Sequence, residues 1–172
     1  MPSLVGSEMC IRDSHKVMQY IDYFVNTESH VQAAIDDMVA RNVLTEEERT
    51  VVNPKDILRC LESDVMAIAR EAEKKGRCHR EQSFMMYKPA CEVSDGFTSQ
   101  DRVLVQGVID LFINDDVKII VDFKNSLLRD EETVKKYKKQ LYLYKSAVES
   151  VICAKIDRVV LYSFKSGKTM DL

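Results

Sequence analysis

Asp110, Asp122 and Lys124 are charged side chains set in runs that are otherwise β-branched and apolar, Gly107-Val108-Ile109-Asp110 and Ile119-Ile120-Val121-Asp122-Phe123-Lys124. Burying an unpaired charge is expensive, so such positions call for a chemical explanation. Asp122 and Lys124 are two residues apart, which directs both side chains to one face of a strand. Asn114-Asp115-Asp116 supplies a turn between the runs. A hairpin centred on Asp116 sets Asp110 directly opposite Asp122, with Cβ atoms ~5 Å apart. Two carboxylates that close repel, and one is held protonated unless a cation lies between them. Such an oxygen site suits a hard divalent ion, because Mg²⁺ binds through one or two carboxylates plus phosphate oxygens. Lys124 beside it can orient a water on the ion or offset charge growing on a phosphate. The predicted chemistry is metal-assisted hydrolysis of a phosphate ester. A one-residue slip in register would turn the carboxylates to opposite faces, leaving strand-end acids merely neutralised by a lysine.

The surrounding elements form a helical half followed by a sheet. His15–Val25 has helical spacing in Val17, Met18, Ile21 and Phe24. Ser29 is placed to cap a second helix with the stripe Val31, Ile35, Met38 and Val39. Thr45 and Glu48 form a capping-box pattern, and Asn53-Pro54 opens a fourth helix. Ser63 begins a fifth, which Lys74-Lys75-Gly76 stops. Strands are predicted at Arg80–Lys88, Val103–Ile113, Val117–Phe123 and Arg158–Phe164, with a turn at Ser94-Asp95-Gly96 and a polar tail at the end. Glu131–Ile152 carries the most regular helical stripe: Val134, Tyr137, Leu141, Tyr144, Val148 and Val151. This order predicts an α/β domain with a mixed sheet flanked by helices. Residues 15–172 are expected to be one domain, 15–76 its helical half and 77–172 its sheet core. Residues 1–14 lack a signal-peptide pattern and a clear period. They resemble translated adapter tails of sequenced gene fragments and are expected to be a non-native or disordered tail, which makes the rest the C-terminal piece of something larger.

The ordered motifs resemble the RecB-type nuclease domain of the PD-(D/E)xK superfamily, and most closely its AddA branch. That branch has G-T-x-x-H, R-E-x-P-F, Q-G-x-I-D, D-Y-K-T and Q-L-x-x-Y segments. Here they correspond to His15-Lys16-Val17-Met18, Arg80-Glu81-Gln82-Ser83-Phe84, Gln106-Gly107-Val108-Ile109-Asp110, Asp122-Phe123-Lys124-Asn125 and Gln140-Leu141-Tyr142-Leu143-Tyr144. Phe123, Asn125 and Ser83 replace the usual Tyr, Thr and Pro, and Arg12-Asp13-Ser14 stands where Gly-Thr is expected. The resemblance implies a restriction-endonuclease-like fold and a Mg²⁺-dependent (or Mn²⁺-supported) deoxyribonuclease of exonuclease type. Asp110, Asp122, the Phe123 carbonyl and His15 would hold the metal. Lys124 would be the catalytic lysine, with Gln140 and Tyr144 near the strand and Glu81 in support. It further implies single-stranded DNA as substrate and a role in double-strand-break repair by recombination. The expected partners are an upstream helicase domain, absent from this chain, and a second, AddB-like helicase–nuclease subunit. The alternative is a catalytically inactive nuclease fold that binds DNA or docks a partner subunit.

Other signals narrow the field. The chain has 172 residues, is 45% hydrophobic and 31% charged, and carries a formal net charge of −3, which suits one folded domain and excludes a wholly basic nucleic-acid binder. Lys135, Lys136 and Lys139 crowd the long helix and could follow a DNA backbone or simply face solvent. Ser166-Gly167-Lys168-Thr169 resembles the end of a P-loop, but Tyr162 stands where the first glycine is required and no helix can follow, so no ATP site is expected. The cysteines, Cys10, Cys60, Cys78, Cys91 and Cys153, form no CxxC pair, so neither an Fe–S cluster nor a disulfide framework is expected. No run is long enough to span a bilayer, so no membrane span is expected; unpaired thiols suit a cytoplasmic protein, and the resemblance implies a bacterial one.

Overall fold

The structure, a computed structural model, describes residues 5–93, 96, 98–126 and 131–172; of residues 5–12, 131–134 and 136 it describes the backbone alone. Five helices come first: α1 (Val5–Tyr20), α2 (Glu28–Ala40), α3 (Glu46–Val51), α4 (Pro54–Leu61) and α5 (Asp64–Lys74). The second half runs β1 (Cys78–Pro89), the short α6 (Ala90–Val93), β2 (Arg102–Asn114), β3 (Lys118–Lys124), α7 (Glu131–Ile152), β4 (Arg158–Ser163) and β5 (Lys168–Asp171). The sheet order is β1-β2-β3-β4-β5. Among these strands only β3 and β4 are parallel, joined through α7 as a parallel pair requires. This is the predicted mixed sheet flanked by helices, compatible with a restriction-endonuclease-like architecture.

Local chemistry accounts for most boundaries. Thr45 and Glu48 exchange both capping-box hydrogen bonds at the start of α3. Asn53 accepts from the Lys55 N–H, with Pro54 in the first turn of α4. After α5 the chain turns at Gly76 with φ +66°, a left-handed conformation that glycine adopts without a Cβ penalty. Three expectations shift. Thr27, not Ser29, caps α2, because its hydroxyl accepts from the His30 N–H. The helix expected to begin at His15 already runs from Val5, Asp13 and Ser14 are buried in it, and it stops at Tyr20, short of the expected Val25. The expected polar tail forms β5, where Lys168 to Asp171 pair with β4. In the turn expected at Ser94-Asp95-Gly96, Ser94 and Asp95 lie outside the described residues.

Two cores sandwich the sheet. Leu111, Ile113, Ile119, Val121, Phe123 and Tyr162 pack with α1, α2, α4 and α5 on one face. Ile109, Phe112, Ile120 and Leu161 pack with Leu141 and Val148 of α7 on the other. Regular alternation would keep Ile109 and Leu111 on one side, yet they belong to opposite cores. Both β1 and β2 therefore change face between these positions. The β1–β2 register is the same before and after, with Arg80 opposite Leu111 and Gln82 opposite Ile109. Glu81, between them, takes φ +50°, a conformation a non-glycine residue enters only at a cost. Asp110 faces it across the ribbon.

Candidate active site

The face change lies beside the point where β2 leaves β3. The β2–β3 ladder has the predicted register, with Leu111 opposite Val121 and Phe112 opposite Ile120, but it stops at Leu111. One step further, Asp110 does not continue backbone pairing. Its side-chain Oδ2 accepts the Phe123 N–H at 2.7 Å. The carboxylate thus replaces a backbone carbonyl and fixes Asp110 against the β3 segment that carries Asp122 and Lys124. The lysine Nζ lies 2.7 Å from Asp122 Oδ2. From the helical half, His15 reaches the same spot, with Nδ1 3.7 Å from Asp110 Oδ2. Arg80 anchors the end of that helix: its guanidinium donates to the Ile21 carbonyl at 2.5 Å and the Gln19 carbonyl at 3.2 Å, pairs with Glu73 and lies over the Tyr23 ring. Cations near a helix C-terminus are electrostatically favoured.

Electrostatics follow from burial. Burial pushes the Asp110 carboxyl up from 3.8 to about 6, against the Phe123 N–H and the Lys124 charge, with Glu81 adding to the rise. Burial also raises Asp122 to about 6, with Lys124 opposing and Asp110 reinforcing. Burial alone would lower the Lys124 amine, but Asp122 and Asp110 outweigh it and keep the ammonium charged. Burial lowers His15, which leaves the imidazole neutral at pH 7. Among the described residues two buried atoms here lack a hydrogen-bond partner, His15 Nε2 and Asp122 Oδ2, the latter in an ion pair with Lys124.

On the opposite side α7 closes the site. Gln140 Nε2 donates to the Tyr144 hydroxyl at 2.6 Å. The Tyr144 ring packs edge-on to Phe84 with centroids 5.1 Å apart. Gly107 makes room for this pair, since a Cβ there would lie 2.7 Å from the Phe84 ring and 3.2 Å from that of Tyr144. The charges of Asp122, Lys124 and Asp110 all act on the Tyr144 hydroxyl, which burial raises above its ordinary value.

The structure therefore gathers Asp110, Asp122, Phe123, Lys124 and His15, with Glu81 across the ribbon and Gln140 and Tyr144 on the helix. Lys135 is exposed and Lys139 half-buried on α7, while the Lys136 side chain lies outside the described residues. Two contributors were missed from the sequence. Tyr137, placed there only on the helical stripe, lies under the Lys124 ammonium, 4.9 Å from Nζ to the ring centroid. Ser163 is fully buried in β4 and donates to the Ser126 carbonyl at 2.7 Å, anchoring the chain that leaves Lys124. A polar residue within an apolar strand, the pattern that marks Asp122, marks Ser163 too.

Among the described residues no three His, Cys, Asp or Glu side chains converge tightly enough to hold an ion by themselves. Two carboxylates, a neutral imidazole with an unpartnered nitrogen and an adjacent backbone carbonyl nevertheless suit a cation that keeps several waters, as Mg²⁺ does. Positive charge there would also offset the penalty that burial imposes on both acids.

No protein-family model matches the chain. Curated relatives do. The chain is 34% identical over 170 residues to the A subunit of the ATP-dependent helicase/nuclease of Clostridium acetobutylicum, covering 92% of this chain and 13% of that protein. It is 35% identical over 157 residues to the protein of the same name from Alkaliphilus oremlandii, covering 87% and 13%. For that of Syntrophomonas wolfei the figures are 33% over 161 residues, covering 91% and 13%. The chain is thus homologous to one segment of these proteins and spans about 13% of their length. A solved structure, "Crystal structure of SSO0001", aligns with 99% of this chain and 76% of its own at 13% identity and a TM-score of 0.31, too distant to bear on function.

Proposed function

From the homology to one segment of the ATP-dependent helicase/nuclease A subunits, we propose that this chain is a metal-dependent deoxyribonuclease domain that hydrolyses phosphodiester bonds of single-stranded DNA. The observation that carries this reading is the splayed strand pair, where Asp110 exchanges its backbone pairing for a side-chain hydrogen bond beside Asp122 and Lys124. Mg²⁺, or Mn²⁺ in its place, would be held by Asp110, Asp122 and the Phe123 carbonyl with His15 alongside, and would supply Lewis-acid activation of water near neutral pH.

The chain's own residues do the rest. Asp110 is pre-positioned by the Phe123 N–H, so its carboxylate needs little reorganisation to accept a ligand. His15 is uncharged and has a nitrogen without a partner, as a ligand must. Lys124 retains its proton and offers positive charge to a phosphate as negative charge gathers on it. Tyr144 and Gln140, fixed to each other, present a hydroxyl and an amide from α7. In the whole protein, the domain would trim strands delivered by an upstream helicase during double-strand-break repair by recombination, alongside a second, AddB-like subunit.

The test is release of labelled fragments from single-stranded DNA with Mg²⁺. Lys124→Ala and Asp122→Asn should each abolish cleavage, and activity unaffected by both would refute the reading. A second reading has its own observation: the Lys124 ammonium already touches Asp122 where a cation would bind, as expected of an inactive domain that binds DNA or docks a partner. Calorimetric titration with Mg²⁺ separates the two, because the inactive domain takes up no ion that Asp122→Asn removes.

A further inference from the structure

From Lys135 to Val148 the sequence holds five lysines, three tyrosines and no carboxylate, in a chain of net charge −3. Helix α7 divides this run between two sides. Gln140 and Tyr144 turn toward the carboxylates and Phe84. Tyr142 precedes Tyr144 by two positions, about 200° round the helix, and is 67% exposed. It lines an open groove of about 490 Å³ with Lys138, Lys139, Leu143, Ser146, Lys88 and Glu92. A second depression, which Tyr142 and Lys138 also line, extends to Lys145. Glu92 of α6 pairs with Lys88 at 3.0 Å and Glu149 lies 3.9 Å from Lys145, while Lys138, which lines the groove together with the ring, is exposed.

We propose that this outer side of α7 is a track for single-stranded DNA, with Tyr142 as a stacking platform for one base and Lys138 and Lys139 at the flanking phosphates. An exposed aromatic ring flanked by lysines is what an unpaired strand can use in full, since every base has a π face and every linkage a negative charge. An acidic protein surface would satisfy the lysines and leave the ring without a counterpart. The location fits as well. A helix is about 10–12 Å across, so a strand engaged at Tyr144 reaches Tyr142 by passing over one helix. The choice of DNA as the strand rests on the nuclease reading; the binding surface does not.

Fluorescence anisotropy of the full chain with labelled oligothymidylate in EDTA tests the track with cleavage blocked. Tyr142→Ala should weaken binding about five- to hundredfold, while Tyr142→Phe, which keeps the ring, retains it. Lys138→Ala with Lys139→Ala should lower the slope of log K against log salt by about 1.4. Unchanged affinity in Tyr142→Ala overturns the proposal. Displacement of the oligonucleotide by polyglutamate with the same Tyr142 dependence also overturns it, assigning the surface to acidic protein. Mg²⁺-dependent cleavage together with Tyr142-independent binding removes the track alone. Tyr142-dependent binding in a chain that never cleaves removes the nuclease reading alone.

Discussion

Asp122→Asn should make the folded protein more stable at neutral pH while removing its proposed activity. In the unfolded chain this carboxyl ionises near 3.8, whereas in the fold burial holds it back until about 6. The folded state therefore binds more protons between about pH 4 and 6, and stability falls as pH rises through that window. One pKa unit corresponds to about 1.4 kcal/mol, so above the window the ionised Asp122 costs the fold about 3 kcal/mol. Asp110 lies beside it and is raised to about 6 by the same burial. The two titrate as a pair, so a single substitution is expected to recover about 1–3 kcal/mol. That is a large share of a stability that is roughly 5–15 kcal/mol for a typical domain. Urea unfolding in EDTA, followed by circular dichroism at pH 7 and pH 4, measures it. The variant should gain at pH 7, gain little at pH 4, and show a flatter pH profile between them. A loss of stability at pH 7, or an equal gain at both pH values, would refute the claim that Asp122 is held in the fold against its own desolvation.

Further outcomes follow from the same geometry. If the carboxylates hold a divalent ion, Mg²⁺ at ten times its Kd should stabilise the wild type by about 1.4 kcal/mol, visible as a higher unfolding midpoint that Asp122→Asn no longer shows. Gly107→Ala should cost about 1–3 kcal/mol through overpacking, since its Cβ meets Phe84 and Tyr144; the near-ultraviolet tyrosine signal should change with it. At the hairpin tip, Lys75 and Arg77 hold the Asp115 carboxyl at about 2, below its ordinary 3.8. The stabilisation it gives is complete above pH 4 and lost as pH falls through about 2. Arg77→Ala should therefore unfold at higher pH than the wild type in an acid titration.

The sequence determined the elements, because their signals are local. Capping residues placed α3 and α4, the 3–4 stripe placed α7, and the turn at Asp115 and Asp116 fixed the β2–β3 register that brings Asp110 near Asp122. The residues that could do chemistry were legible for one reason: charge inside an apolar strand is costly enough to stand out. Other features depended on contacts between distant segments. β5 carries no apolar alternation of its own and forms because β4 offers an edge. α1 was missed over Val5–Ser14 because its period was not evident in the sequence. The decisive event, the departure of β2 from β3 at Asp110, could not be read from alternation, since alternation assumes that a strand keeps one face toward one core. Here a left-handed Glu81, two cores on opposite sides of the sheet and a backbone N–H left for a side chain together turn the ribbon. Spacing along the chain sets which residues can meet. The competition between two buried faces sets how they meet, because that energy belongs to the packed layers and to no single segment.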